Sequence, residues 1–356
     1  MKLFECQSCG QLLYFENSTC LRCGHRLGYL PDLQILSALA PAGNDRWRAL
    51  ATPDAEWVPC ANAGNDACNW MVPAGNSTPF CAACRLNRTI PDLSQERNRD
   101  LWRKLEIAKR RLVYGLMRLG LRIVGRDEDP AAGLAFDFLA EPDPRFRESA
   151  QVMTGHAHGL ITINVAEADD AEREGQRQQM AEPYRTIVGH FRHEIGHHYW
   201  ERLVRDGHWL EPFRVLFGDE RQDYGEALNT HYGAGPPPNW MDGHVSTYAA
   251  AHPWEDWAET WAHYMHIVDT LETADALRIS VAPRAGQDPD LATRIDFDAY
   301  RETDFDTIVR AWLPLTYAVN SLNRAMGQPD LYPFVLTPAV LDKLRFVHEL
   351  IGASRS

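Results

Sequence analysis

His193-Glu194-Ile195-Gly196-His197, inside the run FRHEIGHHYW at 191–200, sets two histidines four residues apart with a glutamate after the first. On an α-helix, positions i and i+4 lie on one face a turn apart. Two imidazoles so placed can hold one metal ion, and Glu194 beside them can take a proton from a water on that ion. The helix itself is expected from Pro183, a residue favoured at the first helical position, to about Asp206, with Gly207 as a stop. His190 and His198 read as packing or supporting residues rather than ligands.

Upstream, Gly159-Leu-Ile-Thr-Ile-Asn-Val165 is β-branched and alternates in polarity, so it reads as a strand. An edge strand before such a helix can hold an extended substrate beside the metal. Downstream, residues 218–246 are rich in Gly, Pro and Asn and read mostly as loop, with a short helix around Glu226–Asn229. Helices follow from Pro253 to about Leu271, over 305–326 with Pro314 inside, and from Pro338 to about Ile351. Past residue 166 the chain reads as nearly all helix.

A catalytic zinc takes three protein ligands and keeps one position open. In the metzincin pattern the third histidine would stand at Leu203 and the glycine at Trp200, so that class is excluded. The third ligand is sought in His252-Pro-Trp-Glu255-Asp-Trp-Ala-Glu259-Thr-Trp-Ala-His263, where Glu255 and Glu259 again share a helix face. Glu255 is the first choice and Glu259 the second, the other acid serving to orient a ligand histidine. Asp219, Asp223 and Glu226 are further candidates. A donor for a developing oxyanion is expected among His231, Tyr232 and Tyr248, with Tyr248 first.

All eight cysteines precede residue 85 of the 356. Cys6-x2-Cys9-x10-Cys20-x2-Cys23 forms two matched knuckles, each followed by a glycine, Gly10 and Gly24, where the turn calls for positive φ. Four thiolates suit tetrahedral Zn2+. Cys60, Cys68, Cys81 and Cys84 make a second set with one tight knuckle, and it uses every remaining cysteine. Two structural zincs would staple a module poor in apolar residues. His25 is read as a surface residue.

Residues 1–90 are charge-neutral, 91–125 carry net +5 and the remainder −18, within a chain total of −13. These shifts divide the chain into a double four-cysteine module (1–90), a basic connector helix (91–125) opened by Ser94, and an acidic body (126–356). The acidic balance argues against nucleic acid as a whole-chain partner. No window resembles a membrane span, and MKLFECQSCG reads as no secretory leader. A cytoplasmic protein is expected, in which cysteines serve metal rather than disulfides.

The double knuckle, Cys68-Asn-Trp70, Cys81-x2-Cys84-Arg, the HEIGH pentapeptide and His252-Pro-Trp-Glu-Asp-Trp-Ala-Glu259 together resemble the bacterial zinc-binding metallopeptidases with an N-terminal zinc ribbon. The resemblance covers nearly the whole chain. Glu255-x-x-Ala258-Glu259 is similar to the Glu-x-x-Ala-Asp element of some gluzincins, in which the first acid binds zinc. The resemblance implies an α+β fold: a zinc-ribbon module followed by a mostly helical, zincin-like domain with a small sheet. It implies hydrolysis of peptide or related amide bonds in a peptide or protein substrate. One catalytic Zn2+ would sit on His193, His197 and Glu255, with Glu194 as general base, and two structural Zn2+ on the cysteines. The ribbons would be free to recruit a protein partner or to restrict access to the cleft. The alternative is a non-catalytic adaptor on the same scaffold.

Overall fold

The computed structural model describes residues 1–141, 154–179, 186–286 and 288–355. They pack as two compact units, Met1–Tyr114 with Ile123–Glu172, and Gly115–Arg122 with Arg173–Ser356. These limits differ from the divisions at 90 and 125 drawn from composition. Side chains pack across a composition boundary as readily as within it.

In the first unit, β1 (Phe4–Glu5) and β2 (Leu12–Leu13) form a hairpin around the first knuckle. Next comes a five-stranded antiparallel meander of β3 (Leu27–Leu30), β4 (Ile35–Gly43), β5 (Arg46–Ala49), β6 (Thr52–Pro59) and β7 (Met71–Pro73). Its inward residues Leu30, Leu39, Ala49, Trp57 and Met71 form a core. The module therefore has apolar burial of its own, beyond what metal staples would supply. A second cluster joins Phe15, Tyr29 and Trp70 to Tyr114 of α1 (Glu96–Leu119), with Phe15 and Tyr114 edge to face at 5.2 Å.

The α1 helix starts two residues after Ser94, which instead donates to Asp92 in a turn. Most of its cations meet an acid. Arg97 pairs with Asp169 and Glu172, Lys104 with Asp170, Arg103 with Asp66, and Arg111 with Glu16. Lys109 is buried against Glu106. The +5 segment is thus a docked helix with most of its cations matched, the bland reading of a basic amphipathic sequence.

β8 (Asn87–Thr89), β9 (Ala135–Leu139), β10 (Gly155–Ala157) and β11 (Leu160–Asn164) form a mixed sheet in the order β10-β11-β9-β8. The strand expected at Gly159–Val165 is β11. It lies inside the sheet, parallel to β9 and antiparallel to β10, so the edge position falls to β10. Ile161 and Ile163 are buried on one face of the strand.

α2 (Asp170–Gln179) follows. The second unit is mostly helical. α3 (Ile187–Tyr199) begins at an N-cap, Thr186, whose Oγ1 accepts from Gly189 N; Pro183 lies outside the described residues. A π-helical turn, Trp200–Arg205, extends it to the expected stop. α4 (Leu210–Phe217) was not expected. The 218–246 region holds α5 (Tyr224–Ala234) and α6 (Trp240–Gly243), because Asp223 caps α5 and offsets its glycines. α7 (Pro253–Ala276), α8 (Phe305–Ala325, with Pro314 inside) and α9 (Pro338–Ala353) match their expected spans, α7 extending further. A short pair, β12 (Ser280–Val281) with β13 (Thr293–Arg294), interrupts the helical run. Phe213, Phe217, Trp257 and Phe346 pack edge to face in the core. The fold class is α+β, as expected. Among the described residues no helix is long and apolar enough to cross a membrane.

Candidate active site

α3 and α7 build the site because they approach closely. At Gly196 a Cβ would stand 3.1 Å from Ala258 Cα and 3.2 Å from Trp261 Cβ, so only glycine permits this crossing without displacement. Trp257 Nε1 donates to Gly196 O at 2.8 Å, tying the two helices at the same level.

The crossing brings His193, His197 and Glu255 together, with one ligand atom from each within 4.8 Å of the others. Glu255 Oε2 lies 3.0 Å from His193 Nε2 and 3.5 Å from His197 Nε2, and the two Nε2 atoms are 3.2 Å apart. A zinc tetrahedron with ligands at 2.0–2.1 Å has edges of about 3.3 Å. The triangle therefore has the size that zinc requires. Glu255 Oε2 is buried and matched to no hydrogen-bond donor, whereas Oε1 accepts from Tyr224 Oη at 2.6 Å.

Electrostatics point the same way. Burial alone would push the His193 imidazole down, but Glu255 and Glu259 hold it well above its usual range. Burial pushes Glu255 up, yet His197 and His193 hold it well below the carboxylate range. The two carboxylates favour positive charge beside them, which a divalent cation would supply.

Glu259 meets the other ring nitrogen of His193. Its Oε1 lies 2.8 Å from His193 Nδ1 and its Oε2 accepts from Ser246 Oγ at 2.6 Å. A proton on Nδ1 leaves the Nε2 lone pair for a metal. Of the other acids considered, Asp219 pairs with Arg221, Asp223 caps α5, and Glu226 lies on α5; none joins the ligand group. His252 caps α7, its Nδ1 accepting from Trp254 N.

Glu194 is 5% exposed, with Oε1 3.1 Å from His190 Nε2. Burial raises its carboxyl, but His190 and the imidazoles of His193 and His197 outweigh this and hold it below the usual range. It is a carboxylate at neutral pH. His190 is thus a partner of Glu194, and His198 is a buried packing residue beside Tyr199. Tyr248 stands with its ring centroid 5.8 Å from that of His193, and burial pushes its phenol well up, so it stays a donor. His231 packs between Tyr232 and Tyr248, and Tyr232 is exposed.

Tyr224 and Ser246 carried no sequence signal of their own. The nearest hint was Asp223-Tyr224-Gly225, whose spacing fits no ligand loop. Both act through acids that only the tertiary fold brings to them.

In the first unit, Cys6 and Cys23 sulfurs are 3.7 Å apart, Cys9 and Cys20 3.6 Å, and Cys68 and Cys81 3.7 Å. Zinc–sulfur bonds of 2.3 Å give tetrahedral edges of about 3.8 Å. Gly10 and Gly24 have φ of 72° and 75°, as the knuckles required. Backbone N–H groups of Trp70, Cys81 and Cys84 each lie 3.4 Å from a sulfur of the second set. His25, expected at the surface, is half-buried with Nδ1 3.3 Å from Cys23 Sγ. Beside the second set, Glu106 accepts from Lys109 and Asn87 and lies 3.5 Å from Cys84 Sγ.

Residues 98–350 match the family model described as "Putative zinc-binding metallo-peptidase", and residues 3–95 match a zinc-ribbon domain. Uncharacterized proteins of Mycobacterium bovis and of Mycobacterium tuberculosis are each 44% identical over 352 residues, covering 99% of this chain and 95% of theirs. No solved structure matches.

Proposed function

The chain belongs to this family of zinc-binding metallopeptidases with an N-terminal zinc ribbon, and from that premise we propose that it hydrolyses peptide bonds with His193, His197 and Glu255 holding zinc. The observation that carries the reading is the Nε2–Nε2–Oε2 triangle of 3.0–3.5 Å beside the buried carboxylate Glu194. His193, His197 and Glu255 would hold a zinc ion there, and the ion would supply Lewis-acid chemistry for a carbonyl and for a water whose pKa falls toward neutrality.

The remaining work falls to side chains. Glu194 accepts the proton of the attacking water and returns it to the leaving amine. Glu259 and Ser246 hold His193 in the tautomer that leaves Nε2 free. Tyr224 fixes Glu255 through Oε1. Tyr248 supplies a phenolic donor to the negative charge developing on the carbonyl oxygen. The substrate is a peptide or protein, and the four-cysteine sets hold two structural zincs.

Metal analysis and a peptide-library cleavage screen test this together. Zinc content should fall from three per chain to two in His193→Ala, one for each ligand group. Glu194→Gln should keep all three and lose roughly 10²–10⁴-fold in cleavage rate. Wild-type cleavage by Glu194→Gln would sink the mechanism. Full zinc with no cleavage of any peptide would favour the adaptor.

A further inference from the structure

A cavity of about 580 Å³ opens in the second unit, within the size range of ligand pockets. It is lined by residues of α5, by the prolines at 236–238 and by Ala250 and Ala251. The elements that line it also reach the metal cluster. Tyr224, at the start of α5, donates to Glu255 Oε1 at 2.6 Å. Tyr248 opens the helical turn Tyr248–Ala251, and its ring centroid is 5.8 Å from that of His193. His231 of the cavity wall lies 6.1 Å from Tyr248, ring to ring. The cavity thus adjoins the cluster, separated from it by the two tyrosines.

The wall accepts hydrogen bonds and offers few. Three consecutive prolines bring no N–H. Gly235 N is spent on His231 O at 2.8 Å, and Thr230 Oγ1 donates to Glu226 O at 2.9 Å. Two carboxylates face this donor-poor wall, Asp223 and Glu226, both exposed and so within reach of a ligand. Asp223 gives Oδ1 to the Glu226 amide at the α5 cap. Among the described residues neither carboxylate has an ion-pair partner. The arginines that precede them in sequence are engaged elsewhere, Arg221 by Asp219 and Arg214 by Glu211 and Glu220. Among the described residues no lysine or arginine lines the cavity. Burial pushes the His231 imidazole down, so it adds no positive charge at neutral pH. Such a wall complements a cation that donates several hydrogen bonds. In a peptide, the lysine ammonium and the arginine guanidinium are those cations. Their methylene stems suit the prolines and alanines around the acids.

We propose that this cavity takes the side chain of a lysine or arginine in the peptide that the cluster acts on. The inference rests on the peptidase reading for that peptide, and on the cavity wall for its basic side chain.

The test uses the full, zinc-loaded chain carrying Glu194→Gln, immobilised, in about 0.15 M salt to screen distant charges. Acetylated, amidated heptapeptide pools carry a fixed central Arg, Lys, Gln or Glu, and retention is read by mass spectrometry. Arg and Lys pools should be retained about tenfold or more over Gln and Glu pools. The preference should vanish in Asp223→Asn with Glu226→Gln, where asparagine still caps α5. It should survive in Asp32→Asn with Asp54→Asn, which removes the same charge from exposed positions of the first unit. Equal loss in both double variants would assign the preference to overall charge and overturn the proposal. Equal retention of all pools, no retention, or a preference that outlasts Asp223→Asn with Glu226→Gln would overturn it as well. The wild-type chain is then given the same pools. Cuts at a fixed distance from the central Arg or Lys support the proposal. Cleavage without a basic preference overturns it and leaves the peptidase reading standing. Cavity-dependent retention with no cleavage of any pool upholds the basic-side-chain site and overturns the peptidase reading.

Discussion

Glu255 divides its two oxygens between two tasks. Oε1 takes the Tyr224 phenol at 2.6 Å, and Oε2 faces the imidazoles. The phenol removes the choice of which oxygen a metal meets, and holds the carboxylate against rotation. Tyr224→Phe keeps the ring and deletes only that donor. It should weaken zinc at this site by about 10–100-fold, measured by chelator competition, with the cysteine sites unaffected. An unchanged affinity would show that packing alone orients Glu255. At this scale, sequence was strong where one element supplied all partners: two histidines and a glutamate on one helix need only the 3.6-residue repeat. It was silent on Ser246 and Tyr224, because a hydroxyl acquires a role only when the fold brings an acid to it.

Among elements, the α3–α7 crossing matters most. The glycine inside the HEIGH pentapeptide is the point where α7 backbone comes within van der Waals reach. Gly196→Leu must force Ala258 and Trp261 away, an overpacking cost of about 1–3 kcal/mol. At about 2–4 °C per kcal/mol for a domain of this size, the melting temperature should drop by several degrees. Glu255 would also move from the imidazoles, so zinc content should fall by one. A variant with normal zinc and normal melting would mean the helices can adjust without cost. Helix starts were legible where chemistry is local, as with Pro253 and Pro338. The 218–246 region misled because its glycines and prolines hide a capped α5, and the Leu210–Phe217 helix is stabilised by aromatic packing that no local rule reports.

For the whole molecule, the two units hold their metal groups by different means. The second unit has an aromatic core independent of its ligands. The first has a meander core, yet all four ligands of its second cysteine set are buried, with backbone N–H groups turned to their sulfurs. Stripping zinc leaves crowded thiols in place of a bonded tetrahedron, so this unit should lose its structure first. Graded chelation followed by hydrogen exchange should show protection vanish over residues 1–90 while α7 and α9 stay protected. Simultaneous loss in both units would refute this order. The division at residue 90 drawn from composition does not coincide with the compact units, since the sheet of β8 to β11 gathers strands from both sides of α1.

The sequence by itself determined the ligand types, the two cysteine sets, the histidine pair and the α+β class, because each rests on short spacings or on periodicity along one element. Only the tertiary structure grouped Glu255 with both histidines and left Glu259 beside one of them, placed Tyr224 and Ser246, and put β11 inside its sheet. Those outcomes depend on which face of one element meets which face of another. A one-turn difference along α7 separates the acid that meets both imidazoles from the acid that meets only His193 Nδ1, and that difference appears only when the two helices are packed.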